Sequence, residues 1–137
     1  MKMSFLTVLT VGLLVATGAH AAGAATGAGA TAQMAGDAER GQQLYASRCG
    51  GCHSIDANRI GPSHAGVFGR VAGKWPGYDF SLALRASRLK WDERNLDRWL
   101  ADPQKLVPGQ KMGYSVPDAK DRADLIAYLK EVPATAP

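Results

Sequence analysis

Three stretches of the chain repeat apolar residues at the helical period. In Pro117–Val132, Leu125, Ile126, Leu129 and Val132 share a face behind Asp118, a residue type that accepts the unpaired N–H groups of a first helical turn. In Trp91–Pro103, Leu96, Trp99 and Leu100 fall on one side, Asp92 stands at the N-cap position and Pro103 marks the end. In Gly36–Cys49, Asp37 is the cap and Leu44 and Tyr45 follow Gly41 by one turn. A glycine inside a helix costs about 1 kcal/mol relative to alanine, so Gly41 predicts a second backbone passing close by. Ser81–Leu89 predicts a short fourth helix. Between Ile55 and Asp79 glycine and proline dominate and no strand alternation emerges. The expectation is an all-α chain of three to four helices joined by long loops. Such a set buries too little of its own surface, which calls for something else at the centre.

The folded unit predicted from this pattern runs over residues 36–132, with 133–137 a short tail. Ahead of it, Lys2 precedes an apolar run from Phe5 to Val15 that is too short to span a bilayer, and Ala19-His20-Ala21 has the small-x-small form of a signal-peptidase site. Residues 1–21 are therefore read as a signal peptide, cleaved after Ala21 or Ala22. An uncleaved segment tethering the protein to a membrane is the alternative. With no twin arginine, export through the general secretory route follows. Residues 22–35 are an Ala/Gly leader with too little side-chain surface to offset its ordering entropy.

Charge narrows the picture only slightly. The chain has 16 Lys and Arg against 12 Asp and Glu, and only Lys2 lies before Gly36, leaving 15 against 12 in the rest. The acids are interleaved with the bases, and no arginine run or aromatic platform suggests nucleic acid. A weak positive patch suited to an acidic protein partner fits better.

The chemistry concentrates in Cys49-Gly50-Gly51-Cys52-His53, which holds both cysteines of the chain. A disulfide across two residues would close a tiny loop and add little stability. A thioredoxin-type redox pair would need a preceding strand, and a zinc site would need a second ligand pair. Covalent haem attachment uses both thiols, one for each vinyl group of the porphyrin, and places His53 to bind the iron. Export agrees with it, because haem of this kind is attached outside the bacterial cytoplasm. Downstream of His53 the sixth-ligand candidates are one histidine, His64, and one methionine, Met112. Met112 lies in a loop turned by Pro108 and Gly109, a poor place for a core filler, and is read as the second axial ligand. His64 is read as a partly exposed loop histidine.

With these residues in view, the segments "GDAERGQQLYASRCGGCHS", "GPSHAGVFGR", "PGYDFS", "LKWDERNLDRWLADPQKLVPGQKM" and "DRADLIAYLK" resemble the class I cytochromes c of the mitochondrial and alphaproteobacterial soluble type, in order and over nearly the whole folded unit. The resemblance implies an all-α cytochrome c fold around one covalent haem c. It implies that Gly41 and Tyr45 cross the last helix near Leu125 and Tyr128. It implies that the Pro62 carbonyl accepts the His53 ring proton, that Arg70 and Trp91 meet a haem propionate, and that Trp99 and Leu100 pack on the Met112 side. It further implies docking through a basic rim, for which Arg48, Lys74, Lys105 and Lys111 are candidates, while Gln104 fills a position usually held by lysine.

This chain departs from the family at Phe80, which lacks the usual phenol hydroxyl, at Leu84 and Trp99, and at Gln110, where threonine is usual. Tyr78 is the candidate to replace the missing phenol, and the Gln110 amide can still donate. The expected function is a monomeric periplasmic carrier of single electrons, not an enzyme. Its expected donor is a quinol-oxidising bc-type complex and its acceptor an oxidase or reaction centre. The alternatives are a cytochrome subunit of a larger complex and a peroxidase-like or gas-binding haem enzyme with a labile sixth ligand.

Overall fold

A computed structural model describes residues 35–134. The expected signal peptide, all of the leader but Ala35 and the end of the tail lie outside these residues. Among the described residues five α-helices follow one another: α1 (Ala38–Leu44), α2 (Leu82–Ala86), α3 (Glu93–Ala101), α4 (Pro103–Leu106) and α5 (Ala119–Glu131). Among the described residues there is no strand, only an isolated antiparallel bridge between Val71 and Lys90.

Each helix starts where a short polar side chain accepts a first-turn N–H. Asp37 accepts from Arg40, Ser81 from Leu84, Asp92 from Asn95, Asp102 from Lys105 and Asp118 from Asp121, at 2.8–3.1 Å. Such a cap contributes about 1 kcal/mol. α3 ends ahead of Pro103, as expected, but a further helix that the sequence pattern did not predict begins there. Proline has no N–H to donate and a φ already suited to a first helical residue, so behind the Asp102 cap it opens α4.

The helices hold together chiefly where α1 crosses α5. At Gly41 a Cβ would overlap the Asp124 carbonyl oxygen, so the glycine serves the close approach inferred from its place in the helix. Tyr45 and Tyr128 meet beside it, ring centroids 5.3 Å apart. The apolar faces of α3 (Leu96, Trp99, Leu100) and α5 (Leu125, Ile126, Leu129) are buried in one cluster with Tyr45, Phe80, Leu84 and Trp91.

Two carboxylates share that crossing. The Asp124 side chain is wholly buried; it accepts the Asp37 N–H at 2.7 Å and pairs with Lys120 at 2.5 Å and with Arg40. Asp121 pairs with Arg40 and, at 2.8 Å, with Arg48. Burial opposes the charge on Asp124, but the Asp37 N–H, Lys120 and Arg40 outweigh it and hold its pKa at about 2. The folded value lies below the ordinary 3.8, so this stabilisation is complete above about pH 4 and is lost as pH falls through about 2. Asp124→Asn is therefore expected to be less stable at pH 7 by about 2 kcal/mol, the scale of a charge-assisted hydrogen bond. In urea unfolding the gap to the wild type should narrow between pH 4 and 2; a constant gap would contradict the assignment.

Candidate functional site

The cysteine motif lies where α1 changes its winding. Over Tyr45–Cys49 the chain forms a π-helical turn, with the Gly50 N–H reaching back to the Tyr45 carbonyl at 2.9 Å. Such turns are frequent at functional sites. The Cys49 carbonyl then accepts from the N–H groups of Cys52 (3.0 Å) and His53 (2.8 Å). The motif is thereby coiled tightly enough that both sulfurs and the imidazole line one cavity of about 420 Å³.

Met112 lines the same cavity from the other end of the sequence. So do Pro62, Arg70, Tyr78, Trp91 and Trp99, together with the rim residues Arg48 and Lys111. The walls between them are apolar side chains of α3 and α5. Lys74 and Lys105 lie outside the lining, on the exposed surface.

The ring of His53 is fixed before anything binds it. Its Nδ1–H donates to the Pro62 carbonyl at 2.8 Å, as the family resemblance implied. That leaves Nε2 with its lone pair, the form in which imidazole binds metals. Burial lowers the His53 pKa and the Pro62 bond opposes this only in part, so the ring is neutral. Gly61 packs against it, where a Cβ would run into three ring atoms.

The thiols are not joined in a disulfide. Burial pushes the Cys49 thiol up to about 11, with Arg48 opposing. A redox-active pair favours a thiol displaced downward, the opposite of the direction at Cys49. Among the described residues there is no cluster of three or more His, Cys, Asp or Glu that could hold a metal ion.

Arg70 makes the clearest demand for an anion. Its Nη2 donates to the Ser63 carbonyl at 2.9 Å and the guanidinium lies 4.1 Å over the Trp75 ring, but the buried Nη1 has no partner. Burial lowers its pKa to about 10, a sign that the charge is poorly solvated. Buried donors are rarely left unsatisfied. A large apolar group carrying carboxylates satisfies both the walls and this donor, so the residues present fit haem.

Two of the expected residues make further contacts. His64 is a half-buried loop residue, as expected, but it also lines the cavity. Its ring stacks on His53 with centroids 4.1 Å apart and planes 21° apart, and it meets the Tyr45 ring edge at 5.6 Å. Burial, then the nearby His53 and Arg70, hold its pKa well below the usual imidazole range. A ring stacked on His53 cannot also face it from the opposite wall. Tyr78, the candidate substitute phenol, has already committed its proton to the Ile60 carbonyl at 2.7 Å.

The basic rim is partly neutralised from within. Arg48 pairs with Asp121, and Lys111 pairs with Asp79, both at 2.8 Å. Lys74 donates to the Arg85 carbonyl at 3.3 Å. Lys105 has no ion-pair partner among the described residues. Also among the described residues, no helix is long and apolar enough to cross a membrane.

Residues 38–133 match the profile of the family described as Cytochrome c. A cytochrome c from Euglena viridis is 45% identical over 98 residues, which cover 69% of this chain and 96% of that protein. A cytochrome c from Gossypium barbadense is 38% identical over 100 residues, 70% of this chain and 90% of that protein. Among solved structures, cytochrome cH from Methylobacterium extorquens superposes with a TM-score of 0.67 at 47% identity, covering 69% of this chain and 98% of that one.

Proposed function

Because this chain belongs to the cytochrome c family, which binds haem c covalently and carries electrons rather than catalysing a reaction, we propose that it is a periplasmic, monomeric carrier of single electrons. It receives them from a quinol-oxidising bc-type complex and passes them to an oxidase or photosynthetic reaction centre. The observation that carries this reading is the convergence of Cys49, Cys52, His53 and Met112 on one apolar cavity.

When bound, haem supplies one-electron exchange between ferrous and ferric iron. The chain does the rest by holding still. Cys49 and Cys52 would hold the macrocycle through their sulfurs. His53 would offer Nε2 to the iron while Pro62 fixes its ring, and Met112 would offer its thioether. The Arg70 Nη1 would receive a propionate, with Trp91 lining the same cavity. Trp99, Leu100, Leu125 and Leu129 keep water out, so little solvent rearranges when the charge changes. His53 does no acid–base work, since both of its nitrogens are committed. With Arg48 and Lys111 already paired to carboxylates, the docking charge of the rim falls mainly on Lys74 and Lys105.

Two measurements test the reading. Protein made in a host that attaches haem should show one added haem by intact mass. Its ferrous spectrum at neutral pH should be unchanged by carbon monoxide, because both axial positions are filled from within. An unmodified mass would end the proposal, and a carbon monoxide complex formed without denaturant would transfer the chain to the gas-binding reading.

A further inference from the structure

We propose that Gln110 is the positioning residue for Met112, clasping its backbone from both sides with one carboxamide; the proposal rests on Met112 as an iron ligand. The Gln110 Nε2 donates to the Met112 carbonyl at 2.7 Å, and its Oε1 accepts the Met112 N–H. A single side chain thus satisfies the donor and the acceptor of the residue two positions on. Among the described residues Met112 has no backbone partner for either group.

The clasp is itself well placed to hold. The Gln110 N–H donates to the Val107 carbonyl at 3.2 Å across a turn in which Gly109 takes a φ of 87°, a conformation open chiefly to glycine. The same Nε2 lies 3.4 Å from Gln104 Oε1 on α4. Beyond Met112 the chain runs exposed through Gly113, Tyr114 and Ser115, until the Val116 N–H meets the Leu100 carbonyl at 2.7 Å.

This loop is a thin wall. Gln110, Met112 and Tyr114 line both the main cavity and a shallow groove of about 380 Å³ on the outer face. Holding such a loop in one conformation lowers the ordering entropy that ligation by Met112 must offset. Lys111 bonds Asp79 nearby, but that bond restrains its own side chain and not the Met112 backbone.

The test compares haem-loaded wild type, Gln110→Leu, which keeps the bulk and loses both bonds, and Gln110→Glu, which keeps the acceptor for the Met112 N–H. Two quantities are read: hydrogen exchange of the Met112 amide, and imidazole binding to the ferric protein, followed by loss of the far-red band that marks an iron–sulfur bond. In Gln110→Leu both the exchange rate and the imidazole affinity should rise about tenfold, roughly the weight of one net hydrogen bond, with a smaller rise in Gln110→Glu. Exchange at the Val116 amide should stay as in the wild type. Unchanged exchange and affinity in Gln110→Leu, or an equal rise at Val116, would overturn the proposal while leaving Met112 ligation intact. A wild-type ferric spectrum without the band would remove Met112 as ligand, and the positioning role with it.

Discussion

Met112→Ala is expected to abolish the far-red ferric band and to lower the reduction potential by roughly 0.2 V, about a quarter of the range that axial ligands span in haem proteins. A thioether is a soft ligand and favours ferrous iron, which raises the potential. Alanine offers no donor atom, and water or an added ligand would take the place with a preference for ferric iron. For a one-electron couple 59 mV is a factor of ten, so the shift exceeds a thousandfold in the ferrous–ferric equilibrium. No other methionine can compensate: Met1, Met3 and Met34 all precede the folded unit. The fold should survive, because Met112 is only half-buried and Val116 anchors its loop to α3. Absorption spectra and a spectroelectrochemical titration decide the matter. An unchanged band and potential would strike Met112 from the site.

What could be read from the sequence divides along a physical line. Local features were legible. Asp37, Asp92 and Asp118 each cap the helix they were assigned, because the capping bond spans only three residues. The two cysteines and His53 act at fixed spacing, so the motif carries its chemistry in one turn of chain. Pro62 was legible only through the family, and its 2.8 Å bond to His53 agrees.

What escaped depends on contacts between distant residues or on features too short to repeat. Four residues cannot establish a helical period, so α4 was invisible until its proline was seen behind a cap. Nothing in the spacing of His64 reveals that it stacks on His53. Asp121 and Asp124 occupy buried positions of α5 that a hydrophobic pattern reads as solvent-facing; two of their partners, Arg40 and Arg48, lie more than 70 positions away. For the same reason a count of rim charges overstated the free ones, since the pairing of Lys111 with Asp79 is a tertiary fact. The Gln110 clasp is short in sequence, yet it depends on a side-chain conformation that residue identity alone does not fix.

Gly41→Ala sets local propensity against tertiary packing, and the magnitudes decide the sign. In an isolated helix the change would stabilise by about 1 kcal/mol. Here the new Cβ would overlap the Asp124 carbonyl oxygen and carbon and press on the Tyr128 Cβ. The first two are backbone atoms within α5 and cannot swing aside as a long side chain would. Relief requires α1 to lift from α5. That loosens the Asp37 N–H bond to Asp124 at 2.7 Å, the Arg40 ion pairs and the Tyr45–Tyr128 contact together. Overpacking ordinarily costs about 1–3 kcal/mol, and a backbone that cannot yield puts this site at the upper end or beyond. The expected net loss is about 3 kcal/mol, or a Tm lower by more than about 10 °C for a domain of this size. Gly51→Ala is the matched control: apart from its chain neighbours no protein atom lies within 4 Å of its added Cβ, so its stability should stay within about 0.5 kcal/mol of wild type. Thermal unfolding of the haem-loaded proteins separates the two. If Gly41→Ala melted at or above the wild-type temperature, the α1–α5 crossing would be looser than the structure has it, and the π-helical turn from Tyr45 to Cys49 would lose the support that presents Cys49 to the cavity.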